Sequence, residues 1–186
     1  MNFPGLKIVV PSTPRDAQGL LKSSIYDNNP VLFFEHKMLY QLQGNILVEN
    51  EAIPLGQADI KREGSDLTVI ACSIMVHRAL QAAEELAQEG ISLEVMDLRS
   101  LKPMDKTAIR ASVQKTGRLL VVEESPYTGG WGAQVVDTVV EEVFSSLKCP
   151  PARLAGVDAP LAAHPVLEAR EIPSVEQIKL RAQQMV

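Results

Sequence analysis

Few residues in this chain are of types that could do chemistry, and they sit at the ends of apolar runs. Ser125-Pro-Tyr-Thr-Gly-Gly-Trp-Gly132 is glycine-rich and precedes an apolar stretch of helical period. Glycines at a helix N-terminus can cradle phosphate, because free backbone N–H groups and the helix dipole both favour an anion. The order Gly129-Gly130-Trp131-Gly132 fits neither the dinucleotide fingerprint nor the P-loop, and no Lys-Ser/Thr follows it. A tight turn that lets the next helix pack on a sheet is the favoured reading. His36, His77 and His164 have no carboxylate or cysteine at ligand spacing. Glu35 adjoins His36, but neighbours on a strand point to opposite faces. The pairs Asp97/Arg99 and Glu123/Glu124 close two apolar runs at what would be the carboxyl edge of a sheet, the usual place for sites in open α/β folds. Interface ion pairs read these residues equally well. Cys72 and Cys149 are far apart and in no C-x-x-C pair, which argues for buried thiols in a reducing compartment. No Ser/His/Asp set, metal cluster or acid/base pair is evident.

The elements that must position these residues are plainer. Asp66–Cys72 is an apolar, β-branched run that reads as a strand buried on both faces. Ser73–Glu89 carries Val76, Ala79, Leu80, Ala83, Leu86 and Ala87 at gaps of three and four, which makes one apolar helical stripe, stopped at Gly90. Ile91–Leu98 is the next strand, and strand, crossover helix and strand pack as a parallel, right-handed βαβ unit. Downstream, the pattern predicts a helix opening at Lys102-Pro-Met-Asp105 and running to Gln114, capped by Asp105 with Ile109 and Val113 inward. A strand at Arg118–Glu123 follows, then a helix burying Val135, Val136, Val139, Val140, Val143 and Phe144, and a strand at Ala152–Gly156. Pro160 to Pro173 reads as an irregular wrap, and Ser174-x-x-Gln177 as a capping box for a terminal helix to about Met185. Upstream, Leu6–Val10, a helix begun by Ser12 or Thr13 with Ala17, Leu20, Leu21 and Ile25 buried, and Val31–Phe34 form a second, smaller βαβ. That unit cannot bury enough surface to stand alone, so it reads as the end of a larger α/β domain. Lys37 to Gly64 is linker-like, with one short strand near Gln57–Lys61.

A chain of 186 residues with an apolar fraction of 46% can bury a sizeable core. No window reaches the apolar length of a membrane span. A net charge of -5, with scattered Lys and Arg, argues against a nucleic-acid surface. No basic segment followed by an apolar one opens the chain, so a cytoplasmic or organellar-matrix protein, not a secreted one, is expected.

Several stretches taken together resemble a known family. They are Phe3-Pro-Gly-Leu-Lys-Ile-Val-Val-Pro-Ser-Thr-Pro14, Asp27-Asn-Asn-Pro-Val31, Phe34-Glu-His-Lys37, Ile53-Pro-Leu-Gly56, Glu94-Val-Met-Asp-Leu-Arg99, Ser112–Arg118 and Val122-Glu-Glu124. Their order and spacing resemble the beta subunit of the decarboxylating component of 2-oxo acid dehydrogenase complexes, the pyruvate, branched-chain and acetoin enzymes. The resemblance implies a three-layer αβα fold with a mostly parallel open sheet, like the transketolase C-terminal domain. It implies that residues 1–36 are the end of a pyrimidine-binding domain, 37–54 a linker and 55–186 the C-terminal domain. It further implies an oxidoreductase that uses thiamine diphosphate and magnesium to decarboxylate a 2-oxo acid, pyruvate first among them, and passes the acyl group to a lipoyl arm. The family's activating glutamate and its histidine lie upstream of Pro4-Gly-Leu-Lys7, and its diphosphate and magnesium sites lie in the alpha subunit. This chain is therefore expected to be an incomplete subunit, silent by itself, with no catalytic or cofactor-binding residues of its own. A partial potassium site at Ser24, Asp27 and Asn29 is implied by the branched-chain members. Implied partners are the alpha subunit, a second beta subunit, and the subunit-binding domain of the acyltransferase core, which the wrap and terminal helix would meet. No nucleic acid or membrane is among them. Rival readings are the C-terminal domain of a transketolase or deoxyxylulose-phosphate synthase, and a stand-alone α/β binding module.

Overall fold

The computed structural model describes residues 3–46 and 51–186, so part of the predicted linker lies outside the described residues. The chain runs β1 (Lys7–Val9), α1 (Pro14–Ile25), β2 (Val31–Phe33), β3 (Asp59–Arg62), β4 (Leu67–Ala71), α2 (Ile74–Ala87), β5 (Leu93–Asp97) and β6 (Ser100–Lys102). It continues α3 (Lys106–Thr116), β7 (Leu119–Pro126), α4 (Gly132–Val143), β8 (Ala152–Gly156), α5 (Pro165–Glu171) and α6 (Val175–Met185).

The central βαβ is as expected. Strands β4 and β5 are parallel, with Leu67 opposite Leu93 and Ala71 opposite Asp97. They lie in a five-stranded sheet of order β3-β5-β4-β7-β8, parallel except for β3, which runs antiparallel along one edge. Helices α2 and α6 cover one face, where Met75, Val76, Leu86, Ile178 and Ala182 pack on Leu67, Val69, Val95 and Leu120. Helices α3 and α4 cover the other, where Ile109, Val113, Val135 and Val139 pack on Ile70, Met96, Leu119 and Val121. Three layers result because β4, β5 and the first half of β7 are mostly apolar and buried on both faces, so each face must be covered.

The N-terminal βαβ also forms, with β1 and β2 parallel. Its sheet is completed from elsewhere: β6 pairs antiparallel with β1 in a three-stranded sheet of order β2-β1-β6. Lys102 itself ends strand β6, and the helix starts after Asp105, the expected cap, whose side chain accepts from the Ala108 N–H. Helix α1 is capped by Thr13 and buries Leu20, but Leu21 and Ile25 are 46% and 70% exposed. They lie off the face that Gly19 and Leu20 present to Val9 and Ile53, so the expected stripe is narrower than drawn. In α4 the row Val135, Val139 and Val143 is buried, whereas Val140 and Phe144 on the adjacent row face outward and Val136 is half-buried. The stretch expected to be irregular holds α5, capped by the His164 imidazole, which accepts from the Val166 N–H. The capping box of α6 is present as read, with Ser174 and Gln177 bonding each other's backbone N–H groups.

Candidate functional site

The glycine loop does not hold an empty anion site. Buried Glu123 on β7 lies under it and accepts from the Gly132 N–H at 3.0 Å, from the Ser125 hydroxyl at 2.6 Å and from Arg153 at 2.6 and 3.0 Å. A carboxylate of the chain itself therefore satisfies the start of α4, where phosphate would otherwise be favoured. Gly132 has to be glycine, because a Cβ there would collide with the Glu123 carboxylate and stand 2.9 Å from Val121 Cγ1. Arg153 stacks 4.5 Å above the Tyr127 ring and holds the loop down. The favoured turn reading fits this geometry.

The histidines are likewise occupied. His36 Nδ1 accepts from the Met38 N–H, so Nε2 carries the proton and donates to Glu124 Oε1 at 3.2 Å. His77 Nε2 donates to the Ser12 carbonyl at 2.7 Å. Burial pushes the Cys72 thiol up, assisted by the charges of Asp97, Glu124 and Glu123, which leaves it a poor nucleophile. Among the described residues, no group of His, Cys, Asp and Glu is arranged to hold a metal ion.

Ser24, Asp27 and Asn29 are placed by the end of α1. The Ser24 hydroxyl donates back to the Leu20 carbonyl at 2.7 Å. Asp27 accepts from the Lys7 ammonium and from the Asn29 backbone and side-chain N–H groups at 2.8 and 3.0 Å, contacts that hold its carboxyl down at about 2. Asp27 and Asn29 are brought together, while the Ser24 hydroxyl is engaged by the Leu20 carbonyl. The Lys7 ammonium sits on the Asp27 carboxylate, so a cation bound by Asp27 would share it with Lys7.

A dense gathering of charge lies where the N-terminal unit meets the carboxyl end of β5. Buried Asp97 accepts from the Ser12 hydroxyl and, at 2.9 Å, from the Arg99 N–H. Arg99, held at φ +55, sends its guanidinium to Asp16 and Asp59, each at 2.7 Å. Lys61 on β3 reaches Asp16 at 2.7 Å, Asp59 at 2.8 Å and Asp97 at 3.8 Å. Burial raises Asp16, but the Lys61 and Thr13 hydrogen bonds and the Lys61 and Arg99 charges outweigh it and hold the carboxyl below the usual range. Burial dominates at Asp97 and pushes it up to about 6. The Asp97/Arg99 pair singled out from sequence is thus half of a seam whose other half, Asp16, Asp59 and Lys61, was not. The missed signal was the pair of opposite charges at Asp59 and Lys61, two residues apart and so on one face of a strand. The seam floors a cleft of about 660 Å³ lined by Thr13, Arg15, Asp59, Lys61, His77 and Arg99 among others. Both seam cations are matched to carboxylates, so the arrangement joins two units rather than presenting free charge to a substrate.

The family model "Transketolase, C-terminal domain" matches residues 56–178. The chain belongs to the transketolase C-terminal domain family. It is 46% identical over 181 residues to a mitochondrial pyruvate dehydrogenase beta-2 subunit from Oryza sativa subsp. japonica, covering 95% of this chain and 48% of that protein. Against a 2-oxoisovalerate dehydrogenase beta subunit from Bacillus subtilis the identity is 49% over 160 residues, 86% of this chain and 49% of that protein. Against an acetoin:2,6-dichlorophenolindophenol oxidoreductase beta subunit from Cupriavidus necator it is 43% over 187 residues, 97% and 54%. This member of the family spans about half the length of the curated relatives it matches. Among solved structures, "Split gene transketolase, inactive beta4 tetramer" matches with a TM-score of 0.83 and 24% identity over 99% of this chain and 59% of that one, a likeness of fold.

Proposed function

We propose that this chain is the C-terminal part of the beta subunit of a 2-oxo acid dehydrogenase, acting in assembly rather than in the chemical step. The observation that carries the reading is the 43–49% identity to beta subunits of pyruvate, 2-oxoisovalerate and acetoin enzymes across 86–97% of the chain. The complete enzyme, on this reading, decarboxylates a 2-oxo acid and passes the acyl group to a lipoyl arm. Identities of 46% and 49% to pyruvate and 2-oxoisovalerate enzymes do not separate the two substrates. Thiamine diphosphate supplies the carbanion chemistry when bound. On this reading the diphosphate and magnesium sites lie in an alpha subunit, as the resemblance to the beta subunits implies.

Residues 1–36, 37–54 and 55–186 are proposed as domain end, linker and C-terminal domain, the last close to the matched span 56–178. Docking to the acyltransferase core is proposed for the outward residues of the C-terminal segment, Leu161, Val166, Leu167 and Leu180, which are 49–59% exposed. Deleting α6 would be a poor test, because Ile178, Ala182 and Met185 are part of the core. Leu167→Glu with Leu180→Glu keeps the core and should weaken binding of the core's subunit-binding domain at least tenfold; unchanged affinity would sink the docking assignment. The potassium proposal requires ligands from outside this chain and is checked by melting in potassium against a large organic cation at equal ionic strength.

The experiment for the main reading is a calorimetric titration of thiamine diphosphate and magnesium into the chain, alone and with an alpha subunit of a pyruvate or branched-chain enzyme. Heat only with the alpha subunit is the expected result. Saturable binding by the chain alone would overturn the assembly reading.

A further inference from the structure

We propose that Asp97, with Ser12, Asp16 and Lys61, forms a proton-operated latch that fixes the loop before α1 to the carboxyl end of β5. On this side the loop is also tied by the Val10 N–H, which donates to the Arg99 carbonyl at 2.7 Å, and by the Asp16–Arg99 ion pair, so the latch is one of several anchors. The Ser12 hydroxyl donates to Asp97, the Ser12 carbonyl accepts from His77, and Thr13 donates to Asp16 at 2.6 Å. Strand β1 itself is fixed independently by its ladder to β6 and by Ile8 in the core, so the loop can open without the two units separating.

The groups around Asp97 determine the direction. From β3 come Lys61 and, through Lys61, Asp59; from α1 comes Asp16; from its own continuation, Arg99. From the end of β4 comes Cys72, beyond which lie Glu123 and Glu124 of β7, and from α2 comes His77 through the Ser12 carbonyl. In this pocket two buried carboxylates, Asp16 and Asp97, compete for the Lys61 ammonium, which sits 2.7 Å from the first and 3.8 Å from the second. Asp97 is therefore the less compensated of the two: the Ser12 hydrogen bond, the Lys61 charge and the Arg99 N–H all favour its ionised form, but burial outweighs them. Its closed-state value of about 6 lies above the ordinary 3.8 that an opened, solvated carboxylate approaches. A group that binds its proton more tightly when closed favours closure in the protonated form, so the latch tightens as pH falls through this window and loosens as pH rises. Asp16 acts in the opposite sense, but its lowered value places that effect below the ordinary carboxylate range. Because Thr13 at the end of the loop, with Pro14 and Arg15 in the first turn of α1, walls the cleft of about 660 Å³, opening of the latch widens that cleft.

The test is hydrogen exchange of the full 186-residue chain, following the peptide that spans residues 10–21. After correction for intrinsic exchange, its opening constant should rise roughly tenfold between about pH 5 and pH 8, the change that those two carboxyl values allow. Asp97→Asn should hold the peptide in the protected state across the range, and His77→Gln should keep the wild-type slope. A flat wild-type profile, or a slope retained in Asp97→Asn, overturns the latch, as does a slope lost only in His77→Gln. Should Asp97→Asn fail to fold, a carboxyl-carbon NMR titration of the wild-type chain decides the matter. An Asp97 midpoint near 6 that shifts the Ser12 amide supports the latch, and an ordinary midpoint overturns it.

Discussion

At the scale of residues, the partners that buried carboxylates find within the chain decide what each can do. Asp16 is fully buried between Lys61 and Arg99. Asp16→Asn leaves both cations short of a partner and should cost about 3–5 kcal/mol at neutral pH, measured by urea unfolding. Its carboxyl is held below the ordinary range, so its stabilisation is present above 3.8 and fades as pH falls through the lowered value. The deficit of Asp16→Asn should accordingly shrink in acid, and a deficit that stays constant to about pH 2 would contradict the pairing. Two glycines of one loop make a second comparison. Gly132→Ala drives a methyl into Glu123 and Val121 and should cost about 2–3 kcal/mol by overpacking. Gly129, at φ +74 with open space around it, should lose only about 1 kcal/mol to backbone strain when changed to Ala.

At the scale of elements, the same helix can carry a core row and a bare row that look alike in sequence. Leu20 and Leu21 adjoin on α1, yet one is fully buried and the other 46% exposed. Leu20→Ala should cost about 2–4 kcal/mol and Leu21→Ala under about 0.5, a contrast read directly from melting temperatures. The central strands were legible because a run apolar on both faces has few other fates. Helix caps were legible too: Thr13, Asp105 and Ser174 all bond where their types and positions indicate. The short strand β6 was not legible, since three residues of Ser-Leu-Lys have no period to read and form a strand only because β1 lies beside them. Helix α5 was hidden similarly, by the prolines that flank it and by the lack of any buried residue on it.

At the scale of the whole molecule, the apolar residues of the N-terminal unit are conspicuous. Ile25, Tyr26, Phe34, Met38 and Tyr40 are 54–84% exposed, and β2 is the edge of its sheet. Edges and apolar surface of this kind favour association with another chain. The isolated chain is expected to self-associate with rising concentration, and Phe34→Glu to shift it toward monomer, as followed by light scattering. A concentration-independent monomer would contradict that expectation.

Sequence by itself determined the layer architecture of this protein, because long apolar strands and periodic helices leave few ways to cover both faces of a sheet. It also carried the kinship with the beta subunits, through short stretches that fall in register along the whole chain. Only the tertiary structure decided where the charges meet. Asp16 and Asp97 are 81 positions apart in the chain, and each reads alone as a surface or strand-end carboxylate. Glu94 reads as the polar position of a strand, yet it is buried against Ser112 and Lys115. Side-chain period reports which face a residue takes, whereas partners, burial and pKa depend on what the fold brings opposite that face.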